Sequence, residues 1–139
     1  MYATVEDIQA RYGDDTYIFA GTLADGSINK AALSRAVEEA SSEIDLALQG
    51  RYALPLHSVP PVIRRICVDI AVAALPRNGA TEATVYERRG REARALLASL
   101  SKGEISLGEE ASPAPAQGTG GGMAYFFSPS GFRAKLDEL

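Results

Sequence analysis

The stretch Val59–Pro76, VPPVIRRICVDIAVAALP, decides the fold. Pro61 suits the first position of a helix, because its ring presets φ and the N–H it lacks would have had no partner there. Pro76 cannot continue a helix and disfavours helix in the residue before it. Between the prolines only Arg64, Arg65 and Asp69 are charged. Val62, Ile63, Ile66, Cys67, Ile70 and Ala74 form one apolar stripe, and Val68, Val72 and Ala73 cover much of the remaining circumference. A helix that is apolar nearly all round is a buried one. The expected fold is all-α, a small helical bundle around this central helix at about 61–75.

The flanking segments agree with that class. Upstream, Leu33, Ala36, Val37, Ala40, Ile44, Ala47 and Leu48 recur at spacings of three and four, the helical period. They predict a long amphipathic helix over about 30–51, capped by Asn29. Its outer face carries Arg35, Glu38, Glu39, Ser42, Asp45 and Gln49. Nearer the start, Thr4 and Asp7 frame a capping-box variant for a helix over about 5–12, with Gly13 as its stop. Thr16 to Ala20 reads as one or two further turns. Gly21 to Ser27 reads as a loop, with Asp25-Gly26 as the turn signal. Two prolines and no helical period make Tyr52 to Pro60 an extended crossover, pinned by Leu54 and Leu56.

Downstream, Arg77-Asn78-Gly79 reads as a turn and Thr81 as the cap of a helix over about 82–101. Val85, Ala93, Leu96, Leu97 and Leu100 form its stripe. Gly90 inside that helix costs about 1 kcal/mol relative to alanine, so a kink or a close helix contact is expected there. Gly103 to Gly108, GEISLG, alternates polar and apolar residues and suggests a short strand. Residues 109–122 are rich in alanine, proline and glycine and have almost no apolar anchors, the composition of a linker. Beyond it Tyr125, Phe126, Phe127 and Phe132 cluster, which reads as a tethered docking arm over 123–139. The expected organisation is a helical domain over 1–108, then linker, then arm.

Composition narrows the function. The 139 residues suit one domain, and a net charge of −4 argues against a protein that coats nucleic acid. A single cysteine allows no intrachain disulfide and fits a reducing compartment. No apolar run approaches the ~18 residues of a membrane span, and no basic-then-apolar secretion signal is visible, so a cytosolic product is expected.

The candidate chemistry is thin. His57 is a lone histidine in a proline-rich loop, without neighbours at metal-ligand spacing. Cys67 sits within the most apolar stripe and reads as a small hydrophobe. Asp69 is the one acid in the central helix, and Arg65 four residues earlier is its expected ion-pair partner. Arg88, Arg89, Arg91 and Arg94 cluster, but Glu87 and Glu92 interleave them. No phosphate loop, dinucleotide fingerprint, zinc spacing or nucleophile elbow occurs. No catalytic, cofactor or metal role is therefore expected of any residue.

The order of the pieces carries a resemblance. MYATVEDIQARYG, then EIDLALQGRYALPL, VPPVIRRICVDIAVAAL, a helix closing on KGEISLG, an Ala/Pro/Gly linker and an FFS-type tail resemble the small head–tail connector proteins of Mu-like bacteriophages and prophages. The resemblance covers about residues 1–108 well and the tail loosely. It implies a virion structural protein without enzymatic activity, located at the neck and assembled in the host cytoplasm. Similar adaptors form a homo-oligomeric ring, commonly a dodecamer, beneath the portal protein. They extend the DNA channel and seat neck or tail-terminator proteins. In that setting the Tyr125–Phe132 arm would dock on the portal or an adjacent subunit. The face bearing Glu38, Glu39 and Asp45 would line the channel, where its charge repels DNA that passes without sequence-specific binding. The alternative is a helical nucleic-acid-binding or packaging accessory protein using the Arg88–Arg94 face.

Overall fold

The structure, a computed structural model, describes residues 1–75 and 80–108, with residues 80–84 described as backbone helix only. Five helices follow one another: α1 (Val5–Tyr12), α2 (Thr16–Ala20), α3 (Lys30–Leu48), α4 (Pro61–Ala74) and α5 (Ala80–Lys102). A single 3-10 turn over Gly13–Asp15 joins α1 to α2. The fold is all-α, as expected. An isolated β-bridge pairs Thr22 with Ile28.

Helix ends follow the caps written in the sequence. Thr4 and Asp7 close a full capping box: the Asp7 N–H donates to Thr4 Oγ1 at 3.2 Å and the Thr4 N–H to Asp7 Oδ2 at 2.8 Å. The Ala32 N–H donates to Asn29 Oδ1 at 3.2 Å and starts α3. Pro61 stands at the first turn of α4. Gly103, at φ +83°, ends α5 in a Schellman motif, in which its N–H donates to the Leu100 carbonyl and the Glu104 N–H to the Ser99 carbonyl.

α4 is the central strut. Ile63, Ile66, Cys67, Val68, Ile70, Ala71 and Val72 are buried around its whole girth, against α3, α5 and α1. Val62 is only partly covered and Ala74 is exposed, so the stripe frays at both ends of the helix. α3 contributes Leu33, Val37, Ile44 and Leu48 to the same core, and α5 contributes Leu97 and Leu100. Gly90 of α5 lies against Ala73 of α4. A Cβ built on Gly90 would stand 2.3 Å from the Ala73 Cβ, inside any real contact distance. The expected close helix contact is present, and it requires glycine.

Three expectations need correction. α3 ends at Leu48 rather than near Arg51, because Gln49-Gly50 turns the chain and Tyr52 is drawn inward. α5 begins at Ala80, so Thr81 lies inside the helix and does not cap it. Residues 103–108 form no strand, with no strand pairing to them among the described residues. Side chains hold the segment instead. Arg51 Nη1 donates to the Leu100 carbonyl at 2.8 Å and to the Ile105 carbonyl at 3.1 Å, and the Leu107 N–H donates to the Tyr52 hydroxyl at 3.1 Å. The crossover over 52–60 is extended, as read, with Tyr52 and Leu56 buried and a cis Leu54–Pro55 bond.

Candidate functional site

The expected Arg65–Asp69 pair does not form. Asp69 is 4% exposed on the side of α4 that faces α1. Arg11, from the last turn of α1, meets its carboxylate as a fork, with Nε to Oδ1 at 2.7 Å and Nη2 to Oδ2 at 3.0 Å. The Tyr12 hydroxyl donates to the same Oδ1 at 2.7 Å. A guanidinium arriving edge-on from another helix gives a bidentate pair, and Arg65, one turn earlier on α4, is left exposed. The Arg89 guanidinium from α5 lies over the Tyr12 ring at 5.4 Å. Tyr12, Phe19 and Tyr86 pack edge to face at centroid distances of 5.4 to 5.7 Å. Three helices are thus locked at one buried acid. The hydrogen bond to Asp69 raises the Arg11 pKa, and burial, followed by that acid, raises the Tyr12 pKa.

The other reactive residue types are equally committed to structure or left in the open. Cys67 is fully buried beside the Ser41 hydroxyl at 3.5 Å, and burial raises its thiol pKa, which suppresses the thiolate a nucleophile needs. His57 is exposed on the crossover. Among the described residues no three His, Cys, Asp or Glu side chains gather as a metal ion would require. No described helix is long and apolar enough to cross a membrane.

The arginine cluster of α5 is dispersed around its axis. Arg94 pairs with Glu43 of α3, Nε to Oε1 at 2.7 Å and Nη2 to Oε2 at 3.2 Å. Arg89 faces Tyr12, and Arg88 sits 3.8 Å from Glu92. Arg88 and Arg91, three residues apart on α5, stay exposed.

Two surfaces remain. The first is a groove between α1 and α4 of about 370 Å³, with Ala10, Pro61 and Val68 along it and Arg11, Arg64 and Arg65 at its edge. Arg64 lies 3.9 Å from Asp7, and Arg65 is exposed. The second is the outer face of α3. Glu38, Glu39, Ser42, Asp45 and Gln49 are exposed there, as the helical period predicts. Asp45 accepts a hydrogen bond from the Tyr2 hydroxyl, which fastens the N-terminal strand of chain to α3. Burial, followed by that acid, raises the Tyr2 pKa. Leu46 stands on this polar face with 70% of its surface in solvent, the most exposed large apolar side chain among the described residues. Sequence reading passed over Arg11 and Leu46. The available signal for Leu46 was a leucine set off the apolar stripe. Tyr125, Phe126, Phe127 and Phe132, with the linker and arm over 109–139, lie outside the described residues.

Comparison with known proteins fits these observations into one lineage. The family described as Bacteriophage Mu, Gp36 matches residues 2–125. The Mu-like prophage FluMu protein gp36 of Haemophilus influenzae is 37% identical over 111 residues, covering 78% of this chain and 76% of that protein. Gene product J of Escherichia phage Mu is 36% identical over 83 residues, covering 58% of this chain and 59% of that one. Matched along most of its length, from the capping box of α1 through the whole described bundle, the chain belongs to the bacteriophage Mu Gp36 family.

Proposed function

We propose that this phage-family protein is a non-enzymatic structural part of the virion, a head–tail connector that forms a ring beneath the portal, extends the DNA channel and seats neck or tail proteins. The observation that carries the reading is the family match over residues 2–125, which spans the whole described bundle. The structure is compatible with it in chemical terms. The buried acid, the buried thiol and two arginines of α5, Arg89 and Arg94, serve contacts within the bundle. The nucleic-acid alternative would rely mainly on Arg88 and Arg91, since Arg89 lies over Tyr12 and Arg94 pairs with Glu43.

In this reading the aromatic arm adds affinity for the portal or an adjacent copy, since aromatic anchors dominate many interfaces. The described core lies within residues 2–100, so a chain lacking 109–139 should remain folded. It should also fail to join portal-containing heads. Electron micrographs of the protein mixed with its portal test the proposal. Rings seated on the portal vertex support it, whereas salt-sensitive coating of DNA with no portal-bound particle would replace it with the alternative.

A further inference from the structure

We propose that the acidic outer face of α3 is received by the α1/α4 groove of a second copy, with Leu46 as the apolar knob and Arg64 and Arg65 closing on Glu38 and Glu39. This deepens the ring reading and rests on it. The two surfaces share no residue, since one belongs to α3 and the other to α1 and α4. Each copy can therefore use both at once, which is what a head-to-tail contact that closes into a ring demands.

The surfaces are complementary in charge and in polarity. Glu38 and Glu39 have no ion-pair partner within the described chain, and neither has Arg65. Arg64 reaches only to 3.9 Å from Asp7, with half of its side chain in solvent. Leu46 lies seven and eight residues beyond these acids, two helical turns along the same exposed face. Opposite it, the groove offers Ala10 and Pro61 over the buried Val68, with Arg64 and Arg65 outnumbering the single acid, Asp7, that also lines it. An apolar contact ringed by polar pairs is the usual anatomy of a protein interface. This assignment commits Glu38 and Glu39 to a neighbour and takes them off the channel wall.

Charge exchange on the full chain tests it, by analytical ultracentrifugation at low and high salt. Arg64→Glu with Arg65→Glu should weaken self-association roughly ten- to a hundredfold, as should Glu38→Arg with Glu39→Arg, because like charges then face each other. The chain carrying all four substitutions should recover most of the lost affinity. Leu46→Ser, at a site too exposed to unfold the bundle, should weaken association without altering its salt dependence. Far-ultraviolet circular dichroism checks that each variant is folded. Single-face reversals that assemble like the unaltered chain overturn this interface and leave the connector reading standing. An unaltered chain that stays monomeric at low salt overturns it too. Absence of the protein from virions is the separate result that would overturn the connector reading.

Discussion

At the scale of single residues, Asp69 and Gly90 show what the packing depends on. Asp69 accepts three hydrogen bonds from two side chains of α1 while almost wholly buried. Asp69→Ala leaves the Tyr12 hydroxyl and the Arg11 guanidinium without their acceptor and should cost about 2–4 kcal/mol. Arg65→Ala should change stability by less than about 0.5 kcal/mol, since that side chain is exposed and makes no ion pair among the described residues. Urea denaturation of the two variants measures the contrast. The sequence suggested the reverse pairing because only neighbours on one helix are visible in it. Whether Arg11 reaches Asp69 depends on how α1 crosses α4, a tertiary fact. Gly90→Ala gains about 1 kcal/mol of helix propensity, yet it should destabilise by about 1–3 kcal/mol through overpacking against Ala73. Adding Ala73→Gly should restore most of the loss, and thermal melts would show it.

Titration belongs to the same scale. Tyr2 and Tyr12 have raised folded pKa values, so above pH 10.0 the unfolded chain gives up protons that the folded chain keeps. The stability these groups provide is present in full below that pH and is lost as pH rises through the folded values. Cys67 acts in the same direction from about pH 9.0 upward. Denaturation midpoints should therefore fall steeply in alkali, and Tyr12→Phe should flatten part of that fall. An equally steep fall in the variant would show that Tyr12 does not contribute.

At the scale of elements, the helices were legible because each carries its own local signals. The capping box at Thr4 and the asparagine before α3 accept backbone N–H groups within a few residues, and the proline at the head of α4 removes an N–H that would have had no partner. Thr4→Ala should cost about 1 kcal/mol, read as a lower urea midpoint. The supposed strand over 103–108 failed for the converse reason. Alternation shows which side chains share a face, but a strand also needs a partner, and this fold supplies Arg51 and Tyr52 instead. Arg51→Met should release that segment, and limited proteolysis should then cut it faster while the core remains intact.

At the scale of the whole molecule, the buried Arg11–Asp69–Tyr12 network holds the bundle together, and the outer face of α3 and the α1/α4 groove are the surfaces proposed to meet between copies. The family membership assigns the protein to Mu-like phages, and the geometry suggests how one copy could hold the next. The acidic face was readable from periodicity, whereas the groove proposed to receive it was not, because the 48 residues from Gly13 to Pro60 separate α1 from α4. The measurement that bears most directly on this account is the number of copies of the chain in purified virions, by quantitative mass spectrometry against the portal protein. The account predicts a fixed multiple-copy stoichiometry matched to a ring at the vertex. A particle that contains no copy, or only one, would contradict it.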